Sequence, residues 1–205
     1  MRNLAVSRDY LIVSYVGALF GILLLPIFEN TRPDFWSFTF INSAGLILGF
    51  LAFANLALFV GGWLGIRWAA LWQFVKYAAA GSLNALLDIG ILNLFSVIFR
   101  VYSGGLLIFF NAIALSFAFT NSFLLNKFWA FKSSDNFHWS EFSRFIGVNF
   151  VTVIVNSLII YFLTTIIGAP DTISEPVWEN IAKLIATPIT IIINFVGYKF
   201  IVFKV

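Results

Sequence analysis

The amino-acid sequence predicts an all-α integral membrane protein with six transmembrane helices. Three observations carry that reading. Of the 205 residues, 61% are hydrophobic and only 10% are charged, against roughly 25% charged in soluble domains. So few charges cannot clothe a water-facing surface. Six stretches, 10–28, 40–66, 74–99, 105–127, 143–167 and 178–200, are apolar over about the 20 residues that cross a bilayer. The cations fall between these runs or at their ends, with Lys183 the exception. The net charge of +3 is therefore a feature of membrane topology, and nucleic acid is not a predicted partner.

Each stretch is expected to be helical, because a single segment in lipid must satisfy its own backbone groups. The first follows MRNLAVSRDY and has no small-x-small cleavage signature before Glu29, so it reads as a retained span. ENTRPD at 29–34 turns the chain into the second. These two spans carry Gly17-xxx-Gly21, Gly45-xxx-Gly49 and Gly61-xxx-Gly65, a spacing that lets helices approach closely in lipid. The expectation is that they pack on each other or on the remaining spans. YSGG at 102–105, SSDNFHW at 133–139 and GAPDTISEP at 168–176 separate the other four. No connector is long enough to be a soluble domain.

Lysine and arginine set the orientation. With the N-terminus cytoplasmic, nine cations face that side: Arg2, Arg8, Arg67, Lys76, Lys127, Lys132, Arg144, Lys199 and Lys204. Only Arg32 and Arg100 face the other. Both termini are expected inside, in a multi-pass protein of the inner (plasma) membrane. Trp63, Trp68, Trp72, Trp129 and Trp139 then fall near the inner interface, and Trp36 and Trp178 near the outer one, as aromatic belts do.

The last four spans read as a helix pair written twice. FVKYAAAGSLNALLDIG (74–90) lies beside FSRFIGVNFVTVIVNSL (142–158), placing Gly81, Asn84 and Asp88 against Asn149, Thr152 and Asn156. Each trio has i, i+3, i+7 spacing and shares one helical face. FLLNKFWAF (123–131) aligns with FVGYKFIVF (195–203), with Lys127 against Lys199. An even number of spans per unit means both copies point the same way, related by an axis along the membrane normal. The predicted organisation is a two-helix extension, 1–70, followed by a four-helix bundle, 71–205.

Ionisable groups inside a membrane are costly and are functional candidates. Asp88 and Lys183 are two such groups. Asp88 lies about 18 Å beyond Lys76, and Lys183 about 24 Å from Lys199, at 1.5 Å per residue. Similar depths fit either a structural ion pair or a polar groove. The last span adds a stripe of Lys183, Thr187, Thr190, Asn194 and Tyr198. Its hydroxyls and amides suit a groove or interhelical hydrogen bonding. Lys76, Lys127, Arg144 and Lys199 mark the inner edge, either as topology-setting cations or as a site for an anionic headgroup. Cysteine is absent, and no metal-ligand spacing, phosphate loop or nucleophile–base set is present. The sequence thus supports no catalytic residue, no cofactor and no enzyme.

The stretches FVKYAAAGSLNALLDIG, NKFWAF, EFSRF, AKLIA and NFVGYKFIVF, in that order over about 74–203, resemble the GtrA-like family of small membrane proteins. Ser122 and Ile201 depart from residues common in that family. The resemblance implies translocation of a polyprenyl-phosphate-linked monosaccharide from the cytoplasmic to the outer leaflet, for cell-surface polysaccharide glycosylation. The implied substrate-binding residues are Lys127 and Lys199 at the phosphate, with Asn84, Asp88, Asn156, Lys183 and Asn194 along the groove. Implied partners are the polyprenyl-phosphate sugar lipid, membrane lipids and a polyprenyl-phosphate glycosyltransferase; because four core helices are few to enclose a headgroup, a second copy of the chain is a further expected partner. Two alternatives stay open. One is a proton-coupled small-molecule exporter using Asp88. The other is a non-transporting anchor for a cytosolic glycosyltransferase, acting through the 128–143 loop.

Overall fold

The structure, a computed structural model, describes residues 4–125, 128–129, 139–197 and 201. All regular structure among them is helical: α1 (Ser7–Thr31), α2 (Phe40–Leu64), α3 (Ala69–Phe99), α4 (Gly104–Leu125), α5 (Trp139–Tyr161) and α6 (Glu175–Gly197), with a π-helical turn, Phe162–Ile167, closing α5. Six helices are long and apolar enough to cross a membrane, one for each predicted stretch. The chain is a multi-pass membrane protein.

Helix ends follow local chemistry. At the start of α1, Asp9 Oδ2 accepts the Val6 N–H at 3.1 Å, an N-terminal position that favours a carboxylate. Arg32 terminates α1 in the left-handed region (φ 45°), donating its N–H to the Phe28 carbonyl. Thr39 caps α2 by accepting from the Asn42 N–H at 3.1 Å, as N-cap threonines do. After the π turn the chain leaves through Gly168 at φ 78°, which glycine adopts without a Cβ penalty. α6 runs unbroken past Pro188. The ring removes one helix hydrogen bond, and the neighbouring Thr187 hydroxyl donates to the Lys183 carbonyl at 2.8 Å.

The chain divides into two compact units, Met1–Leu94 with Ser116–Ser133, and Phe95–Leu115 with Ser134–Val205. In the first, α1 lies against α2 at the Gly17/Gly21 pair. A Cβ on Gly17 would sit 2.6 Å from the Phe50 carbonyl oxygen, and one on Gly21 2.6 Å from Ile47 Cα. Only hydrogen in place of a side chain permits that approach. Gly45 and Gly49, by contrast, have nothing within 4 Å. α1 also meets α3: Gly90 faces Leu23, and Asn30 Nδ2 donates to Asn93 Oδ1 at 2.8 Å. Val16, Leu23, Leu83, Leu86, Leu87 and Ala118 form a common core. Helices α1 and α2 are thus packed into one unit with α3 and the second half of α4.

In the second unit, Phe95 and Phe99 at the end of α3 stack on Phe110 of α4, with ring centroids 4.8 and 5.0 Å apart. Gly197 of α6 admits Val148 of α5. The π turn is tied on two sides: Thr165 Oγ1 accepts the Gly104 N–H at 2.7 Å, and the Leu163 carbonyl accepts from Trp178 Nε1 at 2.8 Å.

Candidate functional site

The second unit contains a buried polar cluster whose centre is Lys183. On α6, Glu179, Ala182, Lys183, Ala186 and Thr190 are all buried, while Leu184, Ile185 and Ile189 are exposed. The 3–4 residue spacing of the buried set places it along one face. Small alanines beside the lysine leave room for its chain. Lys183 is 1% exposed. Its Nζ donates to Asn111 Oδ1 of α4 and, at 3.5 Å, to Asn156 Oδ1 of α5. Asn111 Nδ2 in turn donates to Asn156 Oδ1 at 3.0 Å and to Ser157 Oγ at 3.1 Å. Three helices therefore meet through one ammonium and two amides. Asn156 Nδ2 is buried with no hydrogen-bond partner among the described residues. A donor left unpaired in that setting costs about 1–3 kcal/mol, so an acceptor brought by a ligand would be favoured there.

The cluster extends in both directions along α6. One turn toward its N-terminus, Glu179 is 0% exposed and accepts from Ser96 Oγ at 2.7 Å. Sequence reading singled out Asp88 and Lys183 as intramembrane ionisable groups and passed over Glu179. Its i, i+4 relation to Lys183 was the signal that places it on the lysine's face. Toward the C-terminus, Thr152 Oγ1 donates to Asn194 Oδ1 at 2.6 Å, joining α5 to α6. Asn111, a single amide in the middle of the apolar α4, is a direct partner of the lysine.

Of the predicted site residues, the second unit brings Asn156 and Lys183 together and joins Asn194 to α5 through Thr152. Asn84 and Asp88 belong to the first unit. Asn84 Oδ1 accepts from Asn121 Nδ2 at 2.6 Å, and Asp88 is buried. Lys127 and Lys199 lie outside the described residues, as does Tyr198.

Two inner-edge residues read differently once folded. Lys76 does not snorkel and Trp129 does not line an aromatic belt: each is 2% exposed. Both donate to the same carboxylate oxygen, Asp9 Oδ1, at 2.7 Å for Lys76 Nζ and 2.9 Å for Trp129 Nε1. The ammonium also sits 4.5 Å from the Trp72 ring centroid, a cation–π distance. Asp9 is 3% exposed. From sequence it was one acidic residue before a span. Burial and a partner 67 positions away make it the anchor of α1 on α3.

The polar cluster offers a cation, amide donors and amide and hydroxyl acceptors inside the membrane span. That set can bind a phosphate or sugar hydroxyls. No curated protein and no solved structure matches this chain. Residues 76–203 match the family described as GtrA/DPMS, transmembrane domain. That match spans more than half of the sequence and begins at the buried Lys76, and the chain belongs to the GtrA/DPMS transmembrane-domain family.

Proposed function

We propose that this protein carries a polyprenyl-phosphate-linked monosaccharide from the cytoplasmic to the outer leaflet, without catalysing a reaction. Membership of the GtrA/DPMS family associates it with the handling of lipid-linked sugars. The observation that carries the finer reading is the Lys183–Asn111–Asn156 cluster. An ammonium inside the membrane span is costly to keep, and the amides bonded to it can present either oxygen or N–H to a visitor. A phosphate reaching this cluster would take the lysine and the waiting Asn156 Nδ2. The sugar hydroxyls would exchange hydrogen bonds with Asn111, Ser157 and Glu179. The isoprenoid chain would stay in lipid. Asn84, Asp88 and Asn194, and Lys127 and Lys199 at the cytoplasmic edge, are proposed as further substrate contacts.

Two features support the duplicated-pair reading. Asn84–Asn121 and Thr152–Asn194 join the helices of each pair at 2.6 Å, at positions that the two alignments make equivalent to within one residue. The same register sets Asn111 against Lys183, and these two are bonded. Residues on a two-fold axis meet their own copies, so this contact fits a pair of parallel repeats.

The inner-membrane location and cytoplasmic termini belong to the same proposal. The chain has no cysteine, so single substitutions such as Arg67→Cys and Ser103→Cys report topology without background. A membrane-impermeant thiol reagent should label the second from outside intact cells and the first only after lysis. Transport is tested by a leaflet-accessibility assay in proteoliposomes with a short-chain polyprenyl-phosphate sugar. Native protein should equilibrate the lipid, and Lys183→Ala and Asp88→Asn should slow it. Unchanged transfer in both variants would remove these residues from the mechanism. Capture of a glycosyltransferase that depends on the 128–143 loop, with no transfer by the native protein, would favour the anchor instead.

A further inference from the structure

α1, α2 and α3 surround a half-open cavity of about 320 Å³ within the first unit. Its walls come from Val13 to Phe20 of α1, Phe50 to Leu58 of α2 and Phe74 to Ser82 of α3. The lining is almost wholly apolar. Its one hydroxyl, on Ser82, is donated to the Ala78 carbonyl of the same helix at 2.8 Å. The wall therefore has no polar group in need of a partner. A sugar or phosphate seated there would be desolvated without compensation. Hydrocarbon is the occupant this chemistry admits.

The depth of the cavity narrows the choice. On all three helices its lining begins and ends at roughly 8 and 20 Å from the helix end that the orientation above makes cytoplasmic, at 1.5 Å per residue. That is the acyl-chain zone of the inner leaflet, half of a hydrocarbon core of about 30 Å. The exposed rings of Phe53 and Phe74 flank it on the lipid side. At the headgroup level of the same helices stand Arg8 and Arg67, both exposed, whereas Lys76 is committed to Asp9. An apolar slot with exposed guanidinium groups at its cytoplasmic end is complementary to a lipid that has one chain and an anionic head.

We infer that the slot seats the isoprenyl chain of the polyprenyl-phosphate lipid while it waits in the inner leaflet, with its phosphate at the Arg8 and Arg67 level. This deepens the translocation reading and rests on it. It also gives the first two helices a task. The family match begins at residue 76, so two of the three walls are built by helices outside it. The extension thus holds the tail of the substrate while the matched domain receives its head.

The test uses full-length protein in nanodiscs with two photoreactive probes, a diazirine-bearing polyprenyl phosphate and a phosphatidylglycerol carrying the diazirine on its acyl chain. Ala57→Phe and Ala78→Phe fill the slot from its open side, and thermal unfolding verifies that both variants fold. The polyprenyl probe should label peptides containing Phe53 or Phe74 at least about tenfold over the phospholipid probe, about 1.4 kcal/mol of preference. Each filling variant should remove most of that labelling and slow leaflet transfer. Equal labelling by the two probes would mark ordinary membrane lipid and overturn the inference, as would unchanged labelling in the filled variants. Selective labelling without transfer by the native protein would keep the slot and refute translocation. Transfer that persists undiminished in both filled variants would refute the slot and keep translocation.

Discussion

Among the described residues two lysines are almost fully buried, and different side chains bond to them. Lys76, in the first unit, meets the carboxylate of Asp9 at 2.7 Å, with the Trp129 indole N–H on the same oxygen. Lys183, in the second, meets the amide oxygens of Asn111 and Asn156. The first arrangement neutralises a charge and gives it a fixed partner. Removing either half strands the other in a low-dielectric place, which makes such a pair a lock. The second arrangement leaves adaptable neighbours. An asparagine can offer its oxygen to a cation or its N–H to an anion, so the same side chains serve the lysine alone and a lysine with a bound phosphate. The contrast teaches that burial alone does not mark a site. The partners decide whether a buried ion fastens helices or waits for a ligand.

The comparison breaks most readily at the lock. Asp9→Ala should cost about 3–5 kcal/mol of stability by leaving the ammonium buried without its carboxylate. The double variant Asp9→Leu with Lys76→Met should recover most of that loss, and unfolding in mixed micelles measures both. A single-variant loss below about 1 kcal/mol, the range of an exposed pair, would mean the pair is no lock.

Lys183→Met should behave the other way. It frees two amide oxygens, at a cost of about 1–3 kcal/mol, while lipid transfer should fall by more than about tenfold. Transfer and unfolding measured on the same preparation sharpen the contrast: Asp9 variants should fail in stability first, and Lys183 variants in transport first. Between these lies helix approach. Gly17→Ala must displace the α2 backbone and should cost about 1–3 kcal/mol, whereas Gly45→Ala, with open space around it, should stay within about 0.5 kcal/mol. The smallest effect is expected at Thr152→Val, which removes one interhelical hydrogen bond to Asn194, worth about 0.6 kcal/mol in a membrane protein. A double-mutant cycle with Asn194→Leu isolates that bond.

The helices were legible because crossing a bilayer is a property of a segment by itself. Length and hydropathy decide it locally, and each predicted stretch has its helix. The π turn after α5 was not legible, since Phe162–Ile167 is as apolar as the helix before it. The Gly-xxx-Gly motifs were readable as candidates but not as a ranking. Gly17 and Gly21 meet a helix and Gly45 and Gly49 do not, although the four share one spacing. In the candidate site, Asn156 and Lys183 were readable from helical register and from the cost of charge in lipid. Glu179 and Asn111 were not, because a carboxylate near a span end and one amide among apolar residues acquire meaning only from what faces them. Trp129 was read as an interface residue for the same reason, and Asp9 drew no reading at all.

By itself the sequence determined residence in the membrane, the number and limits of the spans, and membership of the family. Each follows from residue types within a short window or from their linear order. Tertiary structure decided which cations are buried and by what they are held. Asp9 and Lys76 lie 67 positions apart and Asn111 and Lys183 72, and only the packing of helices brings such groups within a hydrogen bond. In lipid the penalty for an unpartnered polar atom is high, so that packing separates a lock from a site.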